Sequence, residues 1–415
     1  MSLKMLKTYK YRLYPTRKQR DKLDWTLETC RTLYNSCLVD RNRHYEQTGK
    51  GLSRIEQQKI LVHDKKNIPY LTDIHSQVLQ DILFRVDKAY KGFFSRLKKR
   101  NGKAGYPRFK PFGRYDSITY PQSGFSIDSS IVSSKLKLSK IGFIKLKLHR
   151  SINGNIKTCT IKKEIDKWYV CFSVDYKPVK KNMPDKKIGI DVGIKSFAGL
   201  SDSEIIKDNP VENPKYLIAS EERLKLKQRK LSKKKKGLSN RKKGRVKVSK
   251  LHKKISNQRK DFQHKLSKKI VDNYGYIAVE DLQIKNMVKN HHLAKSISDA
   301  GWGQFLSFLT YKAEEAGCYI ERVNPRNTSK TCSVCGYIHK EMTLSVRDWV
   351  CPVCHTEHDR DINAAINILN KAIGKELAEF TLGETGSVDD IVSGNTYALK
   401  STPSKNQEAS PVRVG

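Results

Sequence analysis

Apolar and basic residues alternate from the start of the chain, with Leu3, Met5, Tyr9, Tyr11 and Leu13 on one side. This is the pattern of a half-exposed strand, and Pro15 stops it. From Thr16 to about Arg100 the spacing lengthens to that of a helix, as in Leu79, Ile82, Leu83, Val86, Ala89, Tyr90 and Phe93, and predicts a helical lobe. Between Gly105 and Tyr176 the short alternation returns in SKLKLSKIGFIKLKL, TCTIKKE and KWYVCFSVDY, which predicts a twisted barrel. The first strand resembles these later ones, so the helical lobe reads as an insertion into a β domain.

A Pro- and Lys-rich linker, KPVKKNMPDK, opens a new domain in KKIGIDVGIKSFAGLSDSEII, which reads as strand, turn, strand, turn and strand. Residues 223–254 hold 17 Lys or Arg and no acid, with sparse apolar anchors such as Leu224, Leu231 and Leu251, and predict long basic helices. Tyr276–Glu280 then reads as a buried strand, Trp302–Ala316 as an amphipathic helix and Cys318–Val323 as a further strand, which together predict an α/β sheet with crossovers. From about Lys375 onward sustained periodicity is lost, and a mobile tail is expected.

At 415 residues the chain is long enough for two or three compact units. Its 82 Lys and Arg against 42 Asp and Glu give a formal charge of +40, more than solubility needs, so a polyanionic partner is implied. No uncharged apolar run approaches membrane-spanning length, and the N-terminal residues carry charge where a secretory signal is apolar. Nucleic acid in the cytoplasm is therefore the expected partner, not a membrane. Of the nine cysteines, four cluster and Cys30, Cys37, Cys159, Cys171 and Cys318 are scattered, which favours metal binding in a reducing compartment over disulfides.

The cluster is Cys332, Cys335, Cys351 and Cys354, two C-x2-C knuckles joined by a spacer. Four thiolates fill the tetrahedral shell of one Zn²⁺ and leave no position for substrate, so a zinc ion here is structural. Gly336 follows the first knuckle, where a left-handed backbone is wanted, but His355 follows the second and is an alternative ligand.

Catalysis must then lie elsewhere, and three acids stand out. In Lys187–Asp191 alternation turns Gly189 and Asp191 to one face, and in Tyr276–Glu280 it sets Ala278 beside Glu280. Both acids end apolar strands beside a very small residue. Asp361 begins a helix whose Ala364 and Ala365 permit close approach to a sheet. Three converging carboxylates suit Mg²⁺ ions, expected as a pair that would support phosphodiester hydrolysis. Each acid also has a plainer reading: Asp191 as a turn residue, Glu280 as a strand-end ion pair, Asp361 as a helix N-cap. Asp359 competes with Asp361 for the third catalytic place and is otherwise a helper or a surface group.

The motifs YKYRLYPTRKQ, GYPRFKPFGRYDSITYPQ, GIDVGIK, VEDL, NPRNTSKTCSVCG and CPVCHTEHDRDINAAINI, in this order, resemble the TnpB family, transposon-encoded relatives of the type V CRISPR effector nucleases. The resemblance implies a multi-domain α+β fold: a β-barrel wedge domain with an inserted helical recognition lobe, then an RNase H-like (RuvC) α/β domain with an inserted four-cysteine zinc ribbon. The boundaries read as residues 1–15 and 101–180 for the wedge, 16–100 for the recognition lobe, 181–330 and 358–375 for RuvC, 331–357 for the ribbon and 376–415 for the flexible tail. It carries over Asp191, Glu280 and Asp361 as the catalytic triad of a Mg²⁺-dependent endonuclease that cuts both strands of double-stranded DNA. It also implies a guide RNA from the transposon end and a target beside a short transposon-adjacent motif, which Gln80 and Thr119 would face. One chain with one site is expected to work as a monomer in a ribonucleoprotein, cytoplasmic and at the nucleoid when acting. A non-cutting RNA-guided repressor and an unguided transposase accessory protein are the alternatives, and an intact triad speaks against the first.

The basic run from Arg223 to Lys254, with Arg229, Lys230 and Arg241 as candidate contacts, would bind phosphates with little sequence information. The aromatics of Tyr106–Lys110 and Tyr115–Tyr120 can either stack on unpaired bases or fill a barrel core, and the sequence favours neither.

Overall fold

Strand β1 (Met5–Tyr14) buries Tyr9, Tyr11 and Leu13 and runs into Pro15. Thr16 then caps α1 (Arg17–Thr48): its hydroxyl accepts from the Gln19 amide, and the Gln19 side chain accepts from the Thr16 amide. A second capping box, Ser53 with Glu56, starts α2 (Arg54–Asn67), and α3 (Ser76–Lys98) follows a short 3-10 turn. The computed structural model describes residues 5–99, 104–129, 134–178, 183–343 and 346–382. Leu3 and the linker residues 179–182 thus lie outside the described residues.

Strands β2 (Ser117–Tyr120), β3 (Phe125–Ser129), β4 (Ser134–Leu138), β5 (Gly142–Lys147), β6 (Asn155–Glu164) and β7 (Lys167–Tyr176) join β1 in one antiparallel sheet, in the order β2-β6-β7-β1-β5-β4-β3. Because β1 pairs with both β7 and β5, helices α1 to α3 are spliced between the first strand and the rest of its own sheet. Strands β2 and β3 occupy opposite edges, yet only residues 121–124 separate them. Five extended steps span at most about 18 Å, whereas seven flat strands would set the edges about 29 Å apart. The sheet therefore curls toward a barrel, although no ladder joins its edges among the described residues. Its inner face and the helices share one core, which includes Leu23, Leu79, Ile82, Val170 and Phe172.

The second sheet has the order β10-β9-β8-β11-β12. Its strands β8 (Lys187–Val192), β9 (Ser196–Leu200) and β10 (Val211–Glu212) are antiparallel neighbours. Between them and β11 (Tyr276–Glu280) come α4 (Tyr216–Ala219) and two basic helices, α5 (Glu221–Ser232) and α6 (Ser239–Asn273). Then follow α7 (Ile284–Met287), α8 (His291–Ala300), α9 (Trp302–Ala316) and β12 (Tyr319–Val323). Strand β11 lies parallel to both β8 and β12. A small hairpin, β13 (Asp348–Val350) and β14 (Glu357–Asp359), leads directly into α10 (Arg360–Leu382).

Alternation divides this sheet as expected. Ile188, Ile190, Ile277 and Val279 pack against α6 and α9, while Tyr276, Ala278 and Val323 pack against Ile368 and Ala372 of α10. Salt bridges Lys253–Glu164 (2.9 Å) and Lys250–Asp166 (2.6 Å) tie α6 to the β6–β7 hairpin.

Two expectations change. Ile205 and Ile206 form no third strand; the partner of β9 comes later at Val211, after Asn209 has bonded both the amide (2.9 Å) and carbonyl (2.7 Å) of Leu200. A side-chain amide there takes the hydrogen bonds a strand would have taken. Helix α10 runs to Leu382, seven residues into the segment expected as tail, and residues 383–415 lie outside the described residues.

Candidate functional site

Helix α10 can reach the sheet only because two strand positions lack a side chain. A Cβ at Gly189 would stand 2.0 Å from the Ala365 carbonyl oxygen, and one at Gly199 would stand 2.3 Å from that of Asp361. Neither distance is sterically possible, so these glycines set how deeply α10 sits. Gly199 is the ladder partner of Asp191, which brings the first turn of α10 directly over that strand end. On the parallel neighbour, Val279 pairs with Ile190, so Glu280, one residue further on, comes level with Asp191.

The electrostatics register this convergence. The Asp191 carboxyl is pushed up to about 8, first by burial and then by the negative charges of Glu280 and Asp361, with Arg360 and Arg347 opposing. Burial also raises Glu280, against the Thr328 hydroxyl, which donates to its Oε1 at 2.6 Å, and the charge of Lys371. Asp361 Oδ1 accepts from Arg347 at 3.1 Å. The acids do not close on a point: among the described residues only the four cysteines bring three or more such ligand atoms all within 4.8 Å of one another. Like charges resist closer approach, and a pair of ions spaced about 3.5–4 Å apart does not require a single meeting point. A donor set of three carboxylates, one of them raised by burial and by the other two, fits hard divalent cations.

The plainer roles are taken by other residues. Asp359 caps α10, its Oδ1 accepting from the amides of Asp361 and Ile362 (both 2.9 Å), which leaves the Asp361 carboxylate for the cleft. The turn after Asp191 is made by Gly193, whose amide bonds Phe197 and whose carbonyl accepts from the Trp302 indole at 3.2 Å.

The four cysteine sulfurs form the second centre. Cys332–Cys354 and Cys335–Cys351 are each 3.6 Å apart, close to the roughly 3.8 Å edge of a tetrahedron with Zn–S bonds of about 2.3 Å. The centre is thus compatible with structural zinc. His355 is not needed in it: with φ of 56° it occupies the left-handed turn that Gly336, with φ of 78°, occupies in the first knuckle. The Thr356 hydroxyl lowers the thiol of Cys354, while, against the Tyr337 backbone, its neighbours in the cluster raise that of Cys335, so one thiol yields its proton before the other.

Sequence reasoning missed the groups that join the two centres. Buried His358 sets its Nε2 3.1 Å from Cys332 Sγ, as an N–H donor to a thiolate would. Asn363 and Asn367, one turn apart on α10, grip the strand leading to the first knuckle: Asn363 bonds the Ser333 amide (2.9 Å) and the Thr331 carbonyl (2.8 Å), and Asn367 the carbonyls of Thr328 (2.9 Å) and Thr331 (2.6 Å). Two asparagines at i and i+4 inside an apolar stripe were the available signal. Arg347 offered none, because its partner is chosen by how the ribbon folds back.

The nucleic-acid candidates separate. Gln80, Arg229 and Lys230 are exposed on α3 and α5. Arg241 is instead a helix cap: its Nη1 donates to the carbonyls of Leu231 (3.1 Å) and Lys234 (2.6 Å) at the end of α5, where orphan carbonyls need a donor. Thr119 is held between Arg85 (2.9 Å) and Thr160 (3.0 Å). Tyr115 and Tyr120 are buried in the core, whereas Tyr106, Phe109 and Phe112 are exposed. His291 and His292 sit exposed at the start of α8.

A family model described as a probable transposase matches residues 169–291, a Cas12f1-like TNB domain model matches residues 302–368, and a helix-turn-helix domain model matches residues 1–50. The last span folds here as one strand and one long helix. The chain is 30% identical over 88% of its length to "Putative RNA-guided DNA endonuclease InsQ" of Escherichia coli K12, covering 92% of that protein. It is 33% identical over 89% of its length to a "Putative RNA-guided DNA endonuclease" of Streptomyces pristinaespiralis, covering 90% of it. The chain belongs to the TnpB family. Among solved structures, this TnpB-family chain is similar over 88% of its length to Cas12f1 in an sgRNA–target DNA complex (99% of that chain, 18% identity, TM-score 0.35). It is similar over 89% of its length to the mini-RNA-guided endonuclease Cas_phi3 (92% of that chain, 11% identity, TM-score 0.45). No helix among the described residues is long and apolar enough to cross a membrane.

Proposed function

We propose that this protein is an RNA-guided DNA endonuclease whose hydrolytic site is the RuvC-type cleft of Asp191, Glu280 and Asp361. The observation that carries the reading is the gathering of three acids under a helix seated on glycine, where burial and then the charges of Glu280 and Asp361 raise Asp191, with Arg347 bonded to Asp361 at the rim. Its relatives are named as RNA-guided DNA endonucleases over nearly their whole length.

Asp191, Glu280 and Asp361 would hold the Mg²⁺ ions, and the four cysteines one structural Zn²⁺. When bound, the magnesium pair supplies an activated water and charge stabilisation at the phosphate and the leaving oxygen. Thr328 fixes one Glu280 oxygen by a hydrogen bond, and the other would be left for a cation. Arg347 balances the charge on Asp361 and stands where a scissile phosphate would need a cation. Exposed lysines and arginines of α5 and α6 hold backbone phosphates without reading sequence, so recognition falls to pairing between guide RNA and target strand. The guide comes from the transposon end, the target lies beside a short adjacent motif, Gln80 on α3 faces that duplex, and a single monomer cuts both strands in turn.

The test is cleavage of a matched plasmid by the copurified ribonucleoprotein with Mg²⁺. The parent linearises it, Asp191→Ala abolishes cutting by at least a thousandfold while RNA stays bound, and RNase pretreatment abolishes it too. Cutting that survives RNase would point to an unguided enzyme. Sequence-specific binding without cutting would point to a repressor.

A further inference from the structure

Residues 105–116 connect the helical lobe to the curled sheet with no helix or strand of their own, yet they are fastened along their length. Asn35 of α1 both donates to the Lys110 carbonyl (3.0 Å) and accepts from its amide (2.8 Å), and Arg31 adds a second donor to that carbonyl (3.0 Å). Arg96 of α3 holds the Gly105 carbonyl at 3.1 Å, and the Tyr106 hydroxyl bonds Asn42 at 3.0 Å beside Tyr90. A segment tied down this thoroughly could turn its aromatic rings inward. Instead Phe109 is 54% exposed and Phe112 77%, the most exposed large apolar side chain among the described residues. Single exposed apolar side chains are ordinary, but Tyr106, Phe109 and Phe112 display three rings within seven residues of one tethered segment, and such a cluster marks an interaction surface.

The surroundings say which kind. On one side of the strap Lys88, Arg96, Arg108 and Arg114 line a cavity of about 530 Å³ together with Phe109. On the other, Phe112 and Arg114 border a cavity of about 800 Å³ whose far wall includes Arg245 of α6. The acids there are matched, Asp24 with Lys163, Glu28 with Arg31 and, at 4.0 Å, Asp116 with Lys162. Rings that protrude between cations suit unpaired bases with flanking phosphates; a duplex keeps its bases stacked inside and offers the rings nothing.

We propose that this strap is a stacking site for an unpaired stretch of the bound RNA, with Phe109 and Phe112 each carrying a base while Arg108, Arg114 and Arg245 hold phosphates. The proposal rests on the RNA-binding reading above, and RNA is chosen over single-stranded DNA because that reading makes RNA the resident strand.

The test uses the full-length protein stripped of copurified RNA and two labelled RNA probes, an unstructured oligouridine and a fully paired duplex, with an oligothymidine alongside, at low and at high salt. Phe109→Ala with Phe112→Ala should weaken oligouridine binding roughly tenfold or more, most visibly at high salt where counterion release contributes little, and leave duplex binding and the melting temperature unchanged. Phe109→Tyr with Phe112→Tyr should restore it, and a tryptophan placed by Phe109→Trp should be quenched by oligouridine. Parent-like oligouridine binding by the double alanine variant, or an equal loss on both probes, overturns the proposal while leaving the endonuclease reading intact. Loss confined to an oligothymidine probe would reassign the strap to DNA. A parent protein that binds neither RNA probe would overturn the RNA-guided reading itself and this proposal with it.

Discussion

The acidic cleft and the cysteine centre are neighbours built on opposite plans. Four thiols come from 23 consecutive residues and meet through two tight turns, so their local spacing nearly determines the geometry. Three carboxylates come from positions 191, 280 and 361 and are gathered because the parallel strands β8 and β11 set two of them level while α10 is seated on Gly189 of β8 and Gly199 of β9. The first plan is robust to what lies around it. The second depends on close packing, and the ribbon supports it: Arg347 reaches Asp361 from one side while Asn363 and Asn367 hold the knuckle strand from α10.

This contrast can be broken at a single atom. Gly189→Ala places a methyl where the Ala365 carbonyl stands and must lift α10, at a cost of about 3 kcal/mol or more. The expected result is a fall in melting temperature and loss of cleavage with full zinc content, measured by elemental analysis. An unchanged melting temperature would mean that the helix is not seated on this glycine.

A smaller effect sharpens the electrostatic side. Asp191 titrates in the folded protein near 8, above its ordinary value of 3.8. Between those values the native state keeps a proton that the unfolded chain releases, so stability falls as pH rises through the window. Asp191→Asn removes this penalty. In the absence of divalent metal the variant should exceed the parent by on the order of 1–3 kcal/mol at pH 8, and the gap should vanish near pH 4. A gap independent of pH in denaturant titrations would show that Asp191 is not raised in the folded protein.

The smallest change tests the cysteine side. His355 holds a left-handed backbone that glycine adopts without strain, so His355→Gly should cost little or stabilise the ribbon by about 0.5–1 kcal/mol. Zinc stoichiometry and affinity should stay unchanged in chelator competition. A tenfold loss of zinc affinity would make His355 a ligand after all.

Periodicity and short motifs were enough for much of this molecule. Alternation in Lys187–Asp191 and Tyr276–Glu280 named the right face of each strand, and C-x2-C spacing named the four thiols, because both are properties of a few adjacent residues. The same local logic misread Ile205–Ile206 as a strand, since it could not see Asn209 taking the Leu200 hydrogen bonds. Nor could it see that Arg241 would spend its Nη1 on the carbonyls at the end of α5.

From its residues alone the chain determined its charge, its order of strands and helices, its metal-type cysteine cluster and the identity of three acids at the ends of elements. Only the tertiary structure decided that Asp359 caps the helix so that Asp361 need not, that Arg347 faces the acids and that Phe109 and Phe112 point outward. The physical reason is range. Backbone geometry and short spacings act over a few residues, whereas hydrogen-bond partners, burial and charge coupling depend on segments that become neighbours only when the chain has folded.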